Sequence, residues 1–576
     1  MGAVCPLFLG LFYVKEMSHS KVWLTIIPVC LAITSVLHSS NFMYSHDVPK
    51  WLVIDILISF FIVLHARKLE IPLTVPVIVF LAMSYFMLTS LIWVSNLSSA
   101  LGFILRFIAF GVFLMLIREE YSFDERVGLL TMSSVLSGIV FSSAYFIERY
   151  MDVPTSNGAF TPIGFTNNAG HVFNIWIPVI LIFILNIKVK FLYRILATLA
   201  IISILYILKL SDIRATVIGL MLGFILYLLL LLILEKKKSK RTLVHSIGFF
   251  IVLSGLYLGM QTDLITGKKS TSVNMMASLE QVVKTPSAAY QPRMTMLMNS
   301  IDMTKDNPFG VGVNQFEYFH PFYAKIGDEE ASVYVDERTI LKTPHNFFAK
   351  ISTELGWFGL ISIILLYFYL TINVIKTVLK ERCYWLVIPF SAFLFHSLLS
   401  QVYLSPLSYI FGAVLFSTIS CRSGLVCGRL LTIKKTFLYA FFFVPSLSIA
   451  SSVSDYYHYK GVSSRDISLV AKSVDINPGN HKAWLDLSRL YFDISQDVNS
   501  AKEAAEKSMN LNPAHVFGRY HLSRMYFLNG QCVDSVSNLS WLLSYHPKYK
   551  DAKKLMEKAM ECRGSQIMNV IGRSHI

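Results

Sequence analysis

TPHNFFAKISTELGWFGL, residues 343–360, closes a water-loving stretch and opens an apolar one. The polar stretch reaches back to Arg293 and hangs between hydrophobic segments, so the chain alternates between two solvents, lipid and water. His345 stands where the next apolar helix is expected to begin. Upstream lies a glycine-punctuated run, DNPFGVGVNQF, from Asp306 to Phe316. Chemistry is expected in this loop, because the spans on either side are mostly apolar.

The 576 residues are 54% hydrophobic and only 15% charged, whereas a soluble domain carries about 25% charged residues. Apolar runs of about 16 to 24 residues recur from Val22 onward, each able to cross a core of about 30 Å with some tilt. They place about thirteen spans, near residues 22–38, 51–66, 71–94, 98–117, 127–147, 171–187, 195–210, 215–234, 242–260, 354–375, 384–400, 405–420 and 436–451. The fold class is therefore all-α, a polytopic membrane protein of about 12–13 transmembrane helices. The first apolar stretch, Gly2–Val14, is too short for a confident span and lacks a basic n-region or a small-residue cleavage site. No cleaved signal peptide is expected, and the span after Lys21 acts as an uncleaved anchor.

A net charge of +15 would suggest nucleic acid if it formed one patch. It does not. Every second connection between spans is basic, from Lys15–Lys21 to Arg422–Lys435, and together these hold about 21 Lys and Arg, against about three (Lys50, Arg149, Arg214) on the other side. The basic set is cytoplasmic by the positive-inside rule. The long loop, about 261–353, and the tail then share the opposite, periplasmic side of an inner membrane. No nucleic-acid partner is expected.

Two units follow from this: a transmembrane domain over 1–451, containing the loop, and a periplasmic domain over 452–576. The tail loses the apolar runs and repeats itself. INP at 476–478, LNP at 511–513 and YHP at 545–547 put prolines 35 and 34 residues apart, close to the 34-residue tetratricopeptide period. Trp484, Leu487 and Tyr491 fit the first-helix pattern of such repeats, as do Leu522, Tyr526 and Gly530 in the next unit. The tail thus resembles a tetratricopeptide α-solenoid of about two units and a partial third. Packing of antiparallel helices accounts for these residues, and a concave face is left to bind a periplasmic partner.

The 7 cysteines are scattered without metal-ligand spacing, so neither a metal nor any other cofactor is expected. Cys532 and Cys562 both lie in the exported tail, where either a disulfide or two separate thiols is possible.

An outer membrane surface offers no ATP or nucleotide sugar, so a transferase there needs an already activated donor. A polyprenyl diphosphate glycan carries its own leaving group, and arginine suits a diphosphate because its planar fork donates bidentately and stays charged. Arg214, in KLSDIRATVIGL, stands at the outer mouth of a span, where a lone arginine usually snorkels. Arg293 starts an amphipathic helix, with Met294, Met298 and Ile301 at helical spacing along the membrane. His345 with Asn346 opens a helix, a place where histidine is more often structural than catalytic.

In order and spacing, Arg214, the loop with Arg293, NPFGVGVNQF and PHNFFAKISTELGWFG resemble the O-antigen ligase and polymerase superfamily, which includes protein O-oligosaccharyltransferases. The likeness covers roughly residues 70–420, and its most specific part is the His-Asn motif followed by Gly356 and Gly359. GAFTPIGFTNNAGHVFN, Gly158–Asn174, looks like that family's glycine-asparagine loop. The resemblance implies a GT-C-like, metal-independent transferase that takes a glycan from undecaprenyl diphosphate. It further implies that Arg214 and Arg293 hold the diphosphate and that His345 is the essential loop histidine, with Asn346, Asn168 and Arg338 as supporting candidates. An O-antigen ligase delivers the glycan to lipid A-core. A protein oligosaccharyltransferase or a polymerase is the alternative, although Phe165–Asn168 stands where the protein-directed branch shows a glutamine motif.

Two readings from other classes remain open. A transporter would bury paired charges among its spans, and Arg106, mid-span in LGFILRFIAF, has Asp55 as the clearest acidic partner. A membrane-anchored scaffold would put the function in the repeats.

Overall fold

The computed structural model describes residues 19–65, 69–72, 74–151, 160–186, 188–211, 213–234, 291–323, 343–402, 404–420, 430–433, 438–547 and 549–573, with short pieces at 247–248, 251 and 254–255. Side chains of 291–295 lie outside the described set. So do the stretch 2–14, Arg338 and nearly all of the expected span 242–260.

The architecture is all-α; among the described residues the strands form two small antiparallel ribbons, Leu69–Pro72 on Leu430–Ile433 and Phe160–Thr161 on Gly164–Phe165. Among the described residues, 7 helices are long and apolar enough to cross a membrane, from Asp47–His65 to Phe347–Glu381. Shorter apolar helices, Lys21–Val36, Val75–Ser90, Tyr384–Leu399 and Pro406–Ile419, stand among them. Every other expected span overlaps one of these helices, except the last. The segment expected to end at 451 is a helix, Phe443–Ser464, that runs without a break past this position.

Local signals set several helix starts. Asn96 caps Leu97–Glu120 by accepting from the Ser99 N–H, and Ser122 with Glu125 forms a capping box at the start of Phe123–Tyr150. The helix Thr166–Leu185 is apolar nearly all round, as suits a helix at the centre of a bundle, and Trp176 within it is fully buried. Small residues bring helices close. A Cβ at Gly223 would stand 2.7 Å from the carbonyl oxygen of Ile388, and one at Gly219 would stand 3.1 Å from that of Ala392. These contacts seat Arg214–Leu234 directly on Val387–Leu399.

The helix carrying Arg293, Gln291–Asp306, has an apolar exposed face and a partly polar inward face. Met298 and Ile301 are exposed, while Met296, Asn299, Ser300, Met303 and Thr304 face inward. The polar side turns in because Thr304 has a partner there, donating to Ser352 Oγ at 3.1 Å. The exposed Met298 and Ile301 keep the apolar outer face that a helix lying on lipid requires.

In the tail, six helices follow one another from Ile467 to Arg573. One turn recurs where the three prolines sit. Asn480 N–H donates to Asn477 O, His515 N–H to Asn512 O and Tyr549 N–H to His546 O, at 3.0, 3.2 and 3.2 Å. A proline immediately after each helix end cannot continue the helix and so fixes the turn. Cys532 and Cys562 are joined as a disulfide with Cα atoms 5.9 Å apart.

Candidate active site

The two glycine motifs of the loop meet. The helix Phe347–Glu381 is interrupted at Gly356, whose φ of 63° and ψ of −157° are not helical. The run from Asn307 to Phe316 fits into the break. Trp357 N–H donates to Pro308 O at 3.1 Å, Val311 N–H to Thr353 O and Gly312 N–H to Glu354 O, both at 3.0 Å. Groups freed by the break are thereby satisfied. Only glycine fits: a Cβ at Gly356 would lie 2.0 Å from Pro308 O, and one at Gly310 would lie 2.2 Å from Glu354 O.

Side chains hold the clasp from within. Lys350 and Glu354 form an ion pair, 5% and 1% exposed, and Glu354 also accepts from the Phe316 N–H at 3.2 Å. Gln315 Oε1 accepts from the N–H groups of Ser95 and Asn96, at 3.1 and 3.0 Å. Trp93 Nε1 donates to Gly310 O at 3.2 Å. The loop is thus keyed both to the helix it precedes and to the corner before Leu97–Glu120. Burial keeps His320, on the short helix Phe316–Tyr323, neutral with a pKa down at about 4.

His345 sits immediately before this assembly. Its φ of 52° is left-handed, an uncommon state for a residue with a side chain and one that concentrates at functional sites. Its N–H donates to Thr343 Oγ1 at 3.4 Å. Asn346 caps the helix through Ala349 N–H at 2.9 Å and donates from Nδ2 to Leu398 O at 2.9 Å. Arg214 is half-buried as the first residue of Arg214–Leu234. Arg293 occupies the first turn of Gln291–Asp306. Asn168 is half-buried near the start of Thr166–Leu185, with no side-chain hydrogen bond among the described residues.

Bonds between helices link these positions. Thr216, two residues after Arg214, donates to Gly170 O at 3.0 Å. His171 Nε2 lies 2.8 Å from Ser400 Oγ, and Asn174 Nδ2 lies 2.7 Å from His396 Nδ1. The Arg214 and Asn168 helices therefore share a buried polar cluster with the end of Val387–Leu399, and Asn346 reaches the same helix end through its exposed bond to Leu398 O. The sequence reading missed His171, Asn174, Thr216 and His396. GHVFN held a signal, because His171 and Asn174 are one helical turn apart in an otherwise apolar span. The expected pair of Arg106 with Asp55 is present at 2.8 Å.

Residues 199–364 match the model of the O-antigen ligase family. This stretch is similar to O-antigen ligase domains. It contains Arg214, Arg293, Arg338, His345 and Asn346, whereas Asn168 lies before it. This match supports a membrane glycosyltransferase activity for the chain. Among curated proteins none matches the chain.

Proposed function

We propose that the protein moves a preassembled glycan from undecaprenyl diphosphate to an acceptor hydroxyl on the periplasmic face of the inner membrane, with lipid A-core as acceptor. The observation that carries this reading is the coincidence of Arg214, Arg293 and His345, each at the beginning of a helix, within the one stretch that matches the O-antigen ligase family. Helix starts carry partial positive charge and favour anions. In this scheme Arg214 and Arg293 bind the diphosphate and stabilise the charge that develops on it as the glycosyl C–O bond breaks. The electron pair stays on the diphosphate. His345 accepts the proton of the attacking hydroxyl or orients it, and Asn346 fixes the backbone that presents His345.

The disulfide between Cys532 and Cys562 supports an oxidising location for the tail. The tail is read as a tetratricopeptide-like module. Delivery to a protein or to a second lipid-linked glycan is the alternative acceptor choice.

Arg293→Ala and His345→Ala are expected to abolish transfer while the protein still inserts and extracts normally. Arg214→Lys is expected to impair transfer, because a point charge does not reproduce a bidentate fork. Transfer retained by both alanine variants would sink the assignment.

A further inference from the structure

The short helix Phe316–Tyr323 is contacted from two sides. At 8 residues it is too short to persist in isolation, so it depends on what packs against it. One face belongs to the loop. Phe316 is fully buried in a cluster with Met303 and Val311, with Phe319 and Tyr323 beside it, and Asn307 Nδ2 donates to Tyr323 Oη at 3.0 Å. Met303 lies on Gln291–Asp306, the helix that carries Arg293, while the Phe316 N–H reaches Glu354 on the helix that His345 precedes. The short helix is therefore wedged between the two arms of the candidate site.

The other face belongs to the tail. Tyr318 and Phe322 stand one helical turn apart, a spacing that puts them on one side. The Tyr318 ring meets that of His481 with centroids 5.5 Å apart, and Phe322 meets Trp541 and Tyr545 edge to face at 5.2 and 5.4 Å. Glu317 Oε1 lies 3.2 Å from Lys482 Nζ and 3.9 Å from His481 Nε2. His481 and Lys482 begin the helix His481–Asp493, whereas Trp541 and Tyr545 stand in the last turns of Cys532–Tyr545. The contact thus spans successive repeats and depends on how they stack.

The tail is itself seated on the membrane domain, which gives this contact a fixed base. Asn96 Nδ2 donates to Gly479 O at 2.9 Å, Lys482 Nζ donates to Tyr44 Oη at 2.7 Å, and Asp455 accepts from the Met43 N–H at 2.8 Å. A Cβ at Gly479 would stand 2.3 Å from Ser98 Cβ. The same corner takes up the loop, since Gln315 accepts from the Ser95 and Asn96 amides and Asn314 Nδ2 donates to Ser99 Oγ at 2.8 Å. Loop, tail and corner close a triangle of contacts.

We propose that the tail is a positioning module of the glycan-transfer site, in which Lys482, Trp541 and Tyr545 act as positioning residues by clamping the helix Phe316–Tyr323. A continuous set of contacts leads inward from the clamp. Lys482 faces Glu317, and the N–H of the adjoining Phe316 donates to Glu354. Glu354 pairs with Lys350, whose own N–H donates at 3.0 Å to the carbonyl oxygen of Asn346, the residue next to His345. Losing the clamp frees one face of the short helix and lets Phe316 draw away from Glu354 and Met303 together. The inference rests on the glycan-transfer reading for its catalytic consequence, while the clamp itself is measured without transfer.

Full-length Phe322→Ala and Lys482→Met undo the clamp from opposite sides. Each is compared with wild type in nanodiscs by hydrogen exchange and by steady-state transfer from an undecaprenyl diphosphate glycan. Both variants are expected to raise exchange over residues 316–323 and at Val311 and Gly312 about tenfold, with the tail helix Val498–Leu511 still protected. The kcat/KM is expected to fall about tenfold with a higher KM, whereas a smaller folded fraction would lower kcat alone. Lys482→Arg, which keeps the charge, is expected to recover both readouts. Native exchange of the loop in both variants would overturn the clamp, and faster exchange with kcat/KM unchanged would overturn the positioning role. If the wild type transfers no glycan, the glycan-transfer reading fails, and the exchange result alone decides whether the tail holds the loop.

Discussion

Replacing Gly356 by alanine should open the clasp between the two loop motifs. The native backbone at φ 63° and ψ −157° is a region essentially restricted to glycine, and holding another residue there costs about 1–3 kcal/mol. Added to this is the contact of the new Cβ at 2.0 Å from Pro308 O, a backbone atom that cannot swing aside as a side chain would. Relaxing it separates Pro308 from Trp357 and disturbs the bonds from Val311 and Gly312, each contributing about 0.5–1.5 kcal/mol. The local loss is therefore roughly 3–7 kcal/mol, enough to expel the loop from the helix break. Alanine also favours an unbroken helix. Hydrogen exchange of Val311 and Gly312 in the intact protein reads the clasp directly, and glycan transfer in the same preparation reads its consequence. We expect protection at both amides to fall with transfer, while the tail keeps its protection. Native protection together with full transfer would refute the idea that the break positions the loop.

Lys350→Ala strands Glu354 in a buried site and should destabilise the protein by about 3–5 kcal/mol, whereas a paired Lys350→Met, Glu354→Leu change should recover much of that loss; thermal unfolding of the three proteins checks this. Burial holds His515, His521 and His546 of the tail down at about 4. Their folded pKa lies below the unfolded value, so the unfolded tail binds more protons and stability falls as pH drops from about 6.5 towards 4. Amide exchange around Gly518 and Ser523 should quicken over that window, and a flat profile would speak against it. Cys532→Ser should cost the tail about 2–4 kcal/mol and slow its migration on a non-reducing gel after partial denaturation, with no change expected if the thiols are separate.

The membrane class and most helix positions are readable in the sequence because lipid demands long apolar runs, and such runs survive any tertiary detail. The Arg106–Asp55 pair was legible for the same reason, since lone charges in apolar helices need partners. The break at Gly356 was not. Apolar residues continue on both sides of it, so the periodic pattern places a span from 354 and hides a helix that starts at Phe347 and is interrupted within. The seat of Asn477–Lys482 on Ser98 joins residues far apart in the chain, and no local propensity reports such a contact. His345 was visible as a histidine at a helix mouth, but its left-handed backbone was not.

The most direct test of the account is to incubate purified full-length protein with an undecaprenyl diphosphate glycan and to follow glycan mobility on gels, with lipid A-core, an acceptor protein or no added acceptor in parallel. The account predicts a shift of the glycan onto lipid A-core that disappears with His345→Ala. Transfer to protein, or growth of the lipid-linked chain, would contradict the acceptor assignment, and no transfer in any tube, with His345→Ala behaving as wild type in cells, would contradict the enzyme itself.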